Sequence, residues 1–281
     1  MSVSFGERVR TALDAHGPLC VGIDPHAALL DEWNLGQDAA GVREFGLRTV
    51  EAAAGRVGIV KPQVSFFERF GSAGFAALET VLAAAREAGL LIIADAKRGD
   101  IGTTMEAYAS AWLTPGSPLE ADALTVSPFL GIGALTSTFA LAEGAGKGVF
   151  VLAATSNPEA TGIQRARGSG GDTVSASIVT DVSARNAART PAGEWASLGF
   201  VIGATVDWTE AGISAFSPPA PILAPGFGAQ GAGPSDLLRR FGDLAPCVIA
   251  SESRSILNAG PAGLAATIDA RTAEYREALH V

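Results

Sequence analysis

The sequence predicts an α/β fold, a single (β/α)8 TIM barrel built from residues 1–281, on three observations. Eight short apolar runs alternate with longer segments of helical period along the whole chain, the repeat that such a barrel requires. The runs are apolar almost throughout rather than alternating, as expected of parallel strands covered on both faces. An open doubly wound sheet would share the alternation of elements, but no G-x-G-x-x-G phosphate fingerprint follows the first run.

The first run, Leu19 to Ile23, ends in Asp24-Pro25. Val42, Phe45, Val50 and Ala53 then recur near helical spacing, and Gly55 closes that helix. The second run, Val57 to Val60, ends in Lys61-Pro62. Phe75, Leu78, Val81, Leu82 and Ala85 share one face of a helix over 75–88, which Gly89 stops. The third run, Leu90 to Ala94, leads into Asp95-Ala96-Lys97. The fourth, 123–126, ends in Ser127-Pro128, and the fifth, 148–153, in Ser156-Asn157-Pro158. The sixth spans 199–204; the seventh, 221–224, ends in Pro225-Gly226; the eighth, 246–250, leads to Arg254. One long irregular stretch, 155–172, is rich in Gly, Ser and Arg and reads as an extended loop over the barrel mouth. No internal repeat or separate domain is visible.

Composition narrows the function. Hydrophobic residues make up 48% of the chain and charged residues 17%, ample material for a large core. No stretch of about 18 uninterrupted apolar residues occurs, so no membrane span is expected. The start, MSVSFGERVRTALDAHG, lacks the apolar run of a signal peptide, which points to a cytoplasmic protein. A net charge of −9 disfavours nucleic-acid binding, which needs a basic face. Cys20 and Cys247 sit in apolar runs and read as buried free thiols, too few for a disulfide framework. No His/Cys cluster has metal-ligand spacing, so neither a metal nor another cofactor is expected. Trp33, Trp112, Trp195 and Trp208 read as core or interface residues, and His16 and His280 as surface residues.

Lysine is scarce: Lys61, Lys97 and Lys147 stand against seventeen arginines. Lys147, in EGAGKG, reads as a solvated loop charge. Lys61 and Lys97 instead follow strand-like runs, a poor place for a solvated charge. Catalytic groups of this fold occupy the carboxyl ends of the strands. The residues found there are Asp24, Lys61, Asp95, Lys97, Asp100, Ser127, Ser156, Gln230 and Arg254. Strand alternation puts Asp95 and Lys97 on one side. With Lys61 from the neighbouring strand they form a lysine–carboxylate–lysine array, to which Asp100 adds another carboxylate. An ion-pair network bracing the rim is the plain alternative, but desolvating four charges costs more than rim pairs return. The run PGFGAQGAG at 225–233 is glycine-rich enough to be a lid whose backbone N–H groups approach a phosphate. Arg254, after the next strand, offers a forked cationic donor to the same group. His26 serves either as a general base or as a loop histidine of structural or binding use.

The stretch IIADAKRGDIGTT at 92–104 resembles the signature of the orotidine 5′-monophosphate decarboxylase family along its whole length, and is closest to the longer bacterial branch, in which it reads DAKRGDI. GIDPH at 22–26, VKPQ at 60–63, TSNP at 155–158, APGFGAQG at 224–231 and SESRSI at 251–256 follow in the same order. The resemblance covers nearly all the chain. It implies a metal-free decarboxylase that makes UMP in pyrimidine biosynthesis, working as a homodimer with shared active sites. Asp24 and Lys61 would hold the ribose hydroxyls, and Lys61 would also pair with Asp95. Asp95 would face the substrate carboxylate and Lys97 would protonate C6 of the pyrimidine. Asp100 and Thr104 would reach into the partner subunit's site, Ser156 would bind the pyrimidine edge, and Gln230 with Arg254 would grip the phosphate.

Mg²⁺-dependent sugar-phosphate decarboxylases and aldolases on the same scaffold share an Asp-x-Lys-x-x-Asp motif. They carry an acidic residue at the end of strand two, where this chain has Lys61, which would repel a divalent cation. A catalytically idle barrel used for binding is the rival from another class, and it gives no reason for four costly charges.

Overall fold

Side chains alternate across a strand with period two, and in this chain that alternation sorts the apolar residues into two cores. A computed structural model describes residues 3–279. Its eight parallel strands close in sequence order: β1 (Leu19–Ile23), β2 (Ile59–Pro62), β3 (Leu91–Arg98), β4 (Ala123–Val126), β5 (Gly148–Ala154), β6 (Leu198–Ile202), β7 (Ile222–Pro225) and β8 (Val248–Glu252). β8 pairs back onto β1, so no edge is left open. Inward-facing Cys20, Ile59, Ile93, Phe150, Leu223 and Ile249 fill the lumen. Outward-facing Leu19, Val60, Ile92, Leu124, Phe200 and Val248 meet the helical layer, which includes the helices Ala39–Ala53, Gly71–Glu87 and Gly260–Leu279. Apolar residues on both faces explain the near-continuous runs in the sequence.

The bottom of the lumen is plugged by the helix Phe5–His16, whose Phe5, Val9 and Leu13 join the inner cluster. Phe5 meets Phe150 edge-on at 5.9 Å. Ser4 caps this helix by accepting a bond from the Glu7 N–H.

The elements predicted from the sequence are present, with shifted bounds. β3 runs past Asp95 to Arg98. β8 begins at Val248 because Pro246, which has no N–H for a ladder, belongs to the 3₁₀ helix Gly242–Cys247. The 155–172 stretch is not a bare loop: it holds the 3₁₀ turn Pro158–Ala160 and the helical turn Thr161–Gln164. Gln164 explains the order, since its side chain accepts from the Thr155 N–H and donates to the Thr155 hydroxyl, both at 2.9 Å.

Lys147 corrects the sequence reading. It is buried beneath the barrel, 2.7 Å from Glu120 and 3.7 Å from Asp122, instead of being solvated. Asp122 also pairs with Arg8 of the plugging helix. Glu120 and Asp122 lie more than twenty residues away in sequence, so periodicity near Lys147 carried no sign of them.

Trp33 and Trp112 are core residues, with the Trp33 indole donating to the Leu257 carbonyl, while Trp195 and Trp208 pack at its margin. Cys20 and Cys247 are buried free thiols, and burial pushes them up to about 12 and about 11. His16 is half-buried at the end of its helix, and His280 lies outside the described residues. Among the described residues no helix is long and apolar enough to cross a membrane.

Candidate active site

The inward alternation that fills the lumen with apolar residues changes chemistry at the carboxyl ends of the strands. Two residues beyond Ile59 comes Lys61, then Gln63; two beyond Ile93 comes Asp95; two beyond Ile249 comes Ser251, then Ser253. These side chains line a cavity of about 490 Å³ at the barrel mouth, together with Asp24, Lys97, Gln230 and Arg254. That volume suits a nucleotide-sized ligand.

Asp95 is the centre of the polar network. Its Oδ2 accepts from Lys61 Nζ at 3.0 Å and its Oδ1 from Lys97 Nζ at 2.6 Å. Thr125, from β4, donates to the same Oδ1 at 3.0 Å. Burial opposes ionisation of Asp95, but the two ammonium groups outweigh it and hold the carboxyl well below the usual carboxylate range. Burial likewise opposes charge on Lys61, yet Asp95 and Asp24 together raise it above an ordinary lysine. The two lysines differ in access: the Lys61 side chain is 7% exposed, that of Lys97 46%. Both line the cavity, Lys61 from its buried floor and Lys97 from its more open side.

Lys97 reaches that position through an irregular backbone. It has φ +49°, a left-handed conformation rare for a residue with a side chain. The register confirms the break: Ala94 pairs with Leu124 and Arg98 with Val126, so β3 bulges over this interval. Thr125 Oγ1 accepts from the Lys97 N–H at 2.9 Å and so fixes the bulge to the next strand. Strained backbone held by specific bonds is common at functional sites.

Asp24 supplies an unused acceptor. Its Oδ1 is buried, has no hydrogen-bond partner and lies 3.9 Å from Lys61 Nζ. A buried acceptor without a donor is costly, and beside a cavity it is available to a ligand hydroxyl. On the far side of β8 from it, after β7, residues 225–233 form a bonded turn in which the Gly228 N–H donates to the Ala232 carbonyl at 2.8 Å. Among the described residues no three His, Cys, Asp or Glu side chains gather as a metal site.

The cavity thus unites Asp24, Lys61, Asp95, Lys97, Gln230 and Arg254. Three residues expected at the site stand apart from it. Asp100 lies on the rim just before the helix Gly102–Leu113 and Thr104 in its first turn, with Asp100 Oδ1 accepting from the Ile101 N–H. Ser156 is exposed and lines a smaller neighbouring pocket, while Thr155 lines the main one. The sequence reading missed Gln63, Thr125, Ser251 and Ser253. Gln63, Ser251 and Ser253 share inward parity with Lys61 or Ile249, a signal the period-two rule could have supplied. His26 lines the mouth, edge-on to Phe66 at 4.4 Å.

A closed (β/α)8 barrel with desolvated, oppositely charged groups facing a cavity at the carboxyl ends of its strands is the architecture of an enzyme. The chain belongs to the orotidine 5′-phosphate decarboxylase / HUMPS family, whose model matches residues 17–267. It is 50% identical over 278 residues to the orotidine 5′-phosphate decarboxylase of Salinispora arenicola, covering 98% of each chain. It is 51% identical over 260 residues to that of Streptomyces coelicolor, covering 92% of this chain and 91% of the relative. A crystal structure from Streptomyces avermitilis, provisionally named an orotidine 5′-phosphate decarboxylase, superposes with a TM-score of 0.94 at 46% identity, covering 100% and 97% of the two chains. The OMP decarboxylase of Leishmania donovani superposes at 0.79 with 27% identity, covering 99% and 100%.

Proposed function

We propose that this chain decarboxylates orotidine 5′-monophosphate to UMP and CO₂ in pyrimidine biosynthesis, without a metal and with Lys97 as the proton donor. The observation that carries the reading is Asp95 clamped between Lys61 and Lys97 at the barrel mouth. In the reaction the bond from C6 to the carboxylate carbon breaks and its electron pair stays on C6. The pair lies in the ring plane, where no π system absorbs it. A fixed ammonium stabilises that charge directly. At ~4 Å and an effective dielectric near 20 the attraction is roughly 4 kcal/mol. A proton then passes from Lys97 Nζ to C6, and solvent reprotonates the amine.

Asp95 sits where a substrate carboxylate on C6 would approach Lys97, and it disfavours that carboxylate relative to neutral CO₂. The orphaned Asp24 oxygen, with Lys61 beside it, suits the ribose hydroxyls. Gln230 and Arg254 line the side of the cavity that would take the phosphate. Ser156, next to the Thr155 that lines the cavity, belongs to the same reading as a pyrimidine ligand. Both Asp95 oxygens already accept from ammonium groups, so the array offers a divalent cation repulsion instead of ligands. That favours the nucleotide reaction over the Mg²⁺-dependent sugar-phosphate chemistry found on the same scaffold.

A homodimer completes the reading. Ile101, Phe129 and Leu130 are 61%, 77% and 52% exposed, an unusual concentration of bare apolar side chains. Ile101 lies beside Asp100 and close to Thr104 in sequence, so a second copy covering this face would bring those two residues to the neighbouring site. A cytoplasmic location accompanies this metabolic role. The test is the fall in ultraviolet absorbance as the purified protein converts orotidine 5′-monophosphate to UMP in excess EDTA. Rapid loss is expected. No loss with or without Mg²⁺ overturns the assignment, and loss only with Mg²⁺ overturns its metal-free part.

A further inference from the structure

β8 ends in Ser251-Glu252, and Ser253-Arg254 follow at the start of the next helix. Ser251 and Ser253 face the cavity, so alternation turns Glu252 the other way, into the apolar layer between barrel and helices. It is 1% exposed. A carboxylate there is expensive unless every lone pair is used, and this one is well supplied. Oε1 accepts from the Tyr275 hydroxyl at 2.7 Å, and Oε2 accepts from the Ser255 hydroxyl at 2.5 Å. Arg271 Nε lies 3.4 Å from the same Oε2. Burial, then the Glu252 charge, push the Tyr275 hydroxyl far above an ordinary tyrosine, so it remains a donor.

Two of these partners, Arg271 and Tyr275, come from the C-terminal helix, whereas Ser255 belongs to an element that lines the phosphate side of the cavity. Ser255 follows Arg254 in the first turn of the helix Arg254–Leu257. Gly228 has φ +69°, and a Cβ there would come within 2.6 Å of Glu252 Oε2 and closer still to the Ser255 hydroxyl. The glycine turn is therefore seated directly on the carboxylate network. Its Phe227 meets Tyr275 edge-on, with ring centres 5.7 Å apart.

We propose that Glu252 is a positioning residue that fixes Arg254 and the 225–233 turn relative to each other, and so sets the geometry with which the chain grips the 5′-phosphate. This rests on the assignment of Arg254 and Gln230 to the phosphate. Glu252 touches no substrate. It acts through Ser255, which orients the turn carrying Arg254, and through the surface on which Gly228 rests. Tyr275 and Arg271 hold its charge in place from the C-terminal helix. An ion pair serving only to brace that helix would not explain why Ser255 and the Gly228 backbone converge on the same oxygen.

The experiment compares turnover of orotidine 5′-monophosphate with that of the dephosphorylated nucleoside in Glu252→Gln, Tyr275→Phe and Arg254→Ala. Glu252→Gln keeps the volume but presents an amide that cannot accept at both positions. It is expected to lower kcat/KM on the nucleotide by at least about 10-fold, as misplacement of a binding group does, while the nucleoside changes far less. Tyr275→Phe, which keeps the aromatic contact with Phe227, is expected to move the same ratio in the same direction by less, and it decides the matter if Glu252→Gln does not fold. Equal losses on the two substrates, or lower thermal stability with the ratio unmoved, overturn the proposal. Arg254→Ala separates the two layers: if it is phosphate-selective and Glu252→Gln is not, only the positioning role fails. If Arg254→Ala itself loses equally on both substrates, the phosphate assignment fails.

Discussion

Asp95 and Lys97 stand two residues apart on one strand, and their charged ends meet at 2.6 Å because Lys97 leaves the extended conformation for the left-handed one. Thr125 secures both partners, donating to the Asp95 carboxylate and accepting from the Lys97 N–H. Thr125→Val is nearly isosteric but removes both bonds, leaving the Lys97 amide without its partner and Asp95 Oδ1 with Lys97 alone. A stability loss of about 1–3 kcal/mol is expected in urea unfolding. Turnover of the nucleotide should fall by about 10- to 100-fold, as a displaced reacting group requires. Thr125→Ser should keep most of both. If the valine variant turns over normally, the bulge alone sets the position of Lys97.

The pairing of Lys61 with Asp95 predicts strongly non-additive substitutions. Asp95→Asn leaves the buried Lys61 ammonium with only Asp24, 3.9 Å away, and should cost about 3–5 kcal/mol of stability. Adding Lys61→Met removes the stranded charge, so the double variant should be more stable than Asp95→Asn alone. Additive losses would mean that the two charges are not coupled. The sign with pH also follows. Asp95 is held below its unfolded value, about 3.9, so its contribution is full above that value and is lost as pH falls through the lower folded one. Lys61 is held above its unfolded value, about 10.4. Its contribution is full below that value and is lost only as pH rises through the higher folded one. Stability measured from neutral pH into acid should therefore fall less steeply in Asp95→Asn than in the native chain.

How much of this was legible in the sequence depended on distance along the chain. The barrel was legible because eight apolar runs and their helices are local patterns, and the charged array because Asp95 and Lys97 are neighbours and Lys61 ends the adjacent strand. Thr125 was not, since its value lies in a bulge that places Lys97 at φ +49°, and no local pattern encodes that irregularity. Glu252 looked like one polar residue among several in SESRSI, because its partners Tyr275 and Arg271 arrive on the last helix. Lys147 was misread for the same reason. Contacts made by folding, between residues far apart in sequence, decided each of these cases.

The rim positions of Asp100 and Thr104 lead to a test across subunits. Asp100 lies outside the cavity of its own chain, next to the exposed Ile101. Lys97→Ala and Asp100→Ala should each be inactive alone. After subunits are mixed equally and exchanged, about half of the dimers are hybrids with one intact site each, giving up to about a quarter of native activity. No recovery, with exchange verified, would place both residues in one subunit's site.

The ion pairs beneath the barrel make the opposite prediction, stability without activity. Burial opposes ionisation of Glu120, but its bond to Lys147 prevails and holds the carboxyl below an ordinary glutamate. Lys147 is buried at the amino ends of the strands, far from the cavity, where this fold places residues of structural use. Glu120→Ala leaves Lys147 with Asp122 at 3.7 Å, and Asp122 is already engaged by Arg8 and by the Ile92 N–H. The loss should be about 1–3 kcal/mol in urea unfolding, with kcat and KM on the nucleotide unchanged. Since the folded pKa of Glu120 lies below its unfolded one, the difference from the native chain should be full above about pH 4.3 and shrink in more acid solution. A change in kcat with unaltered stability would show that the bottom of the barrel communicates with the mouth, against the division of labour that the two cores imply.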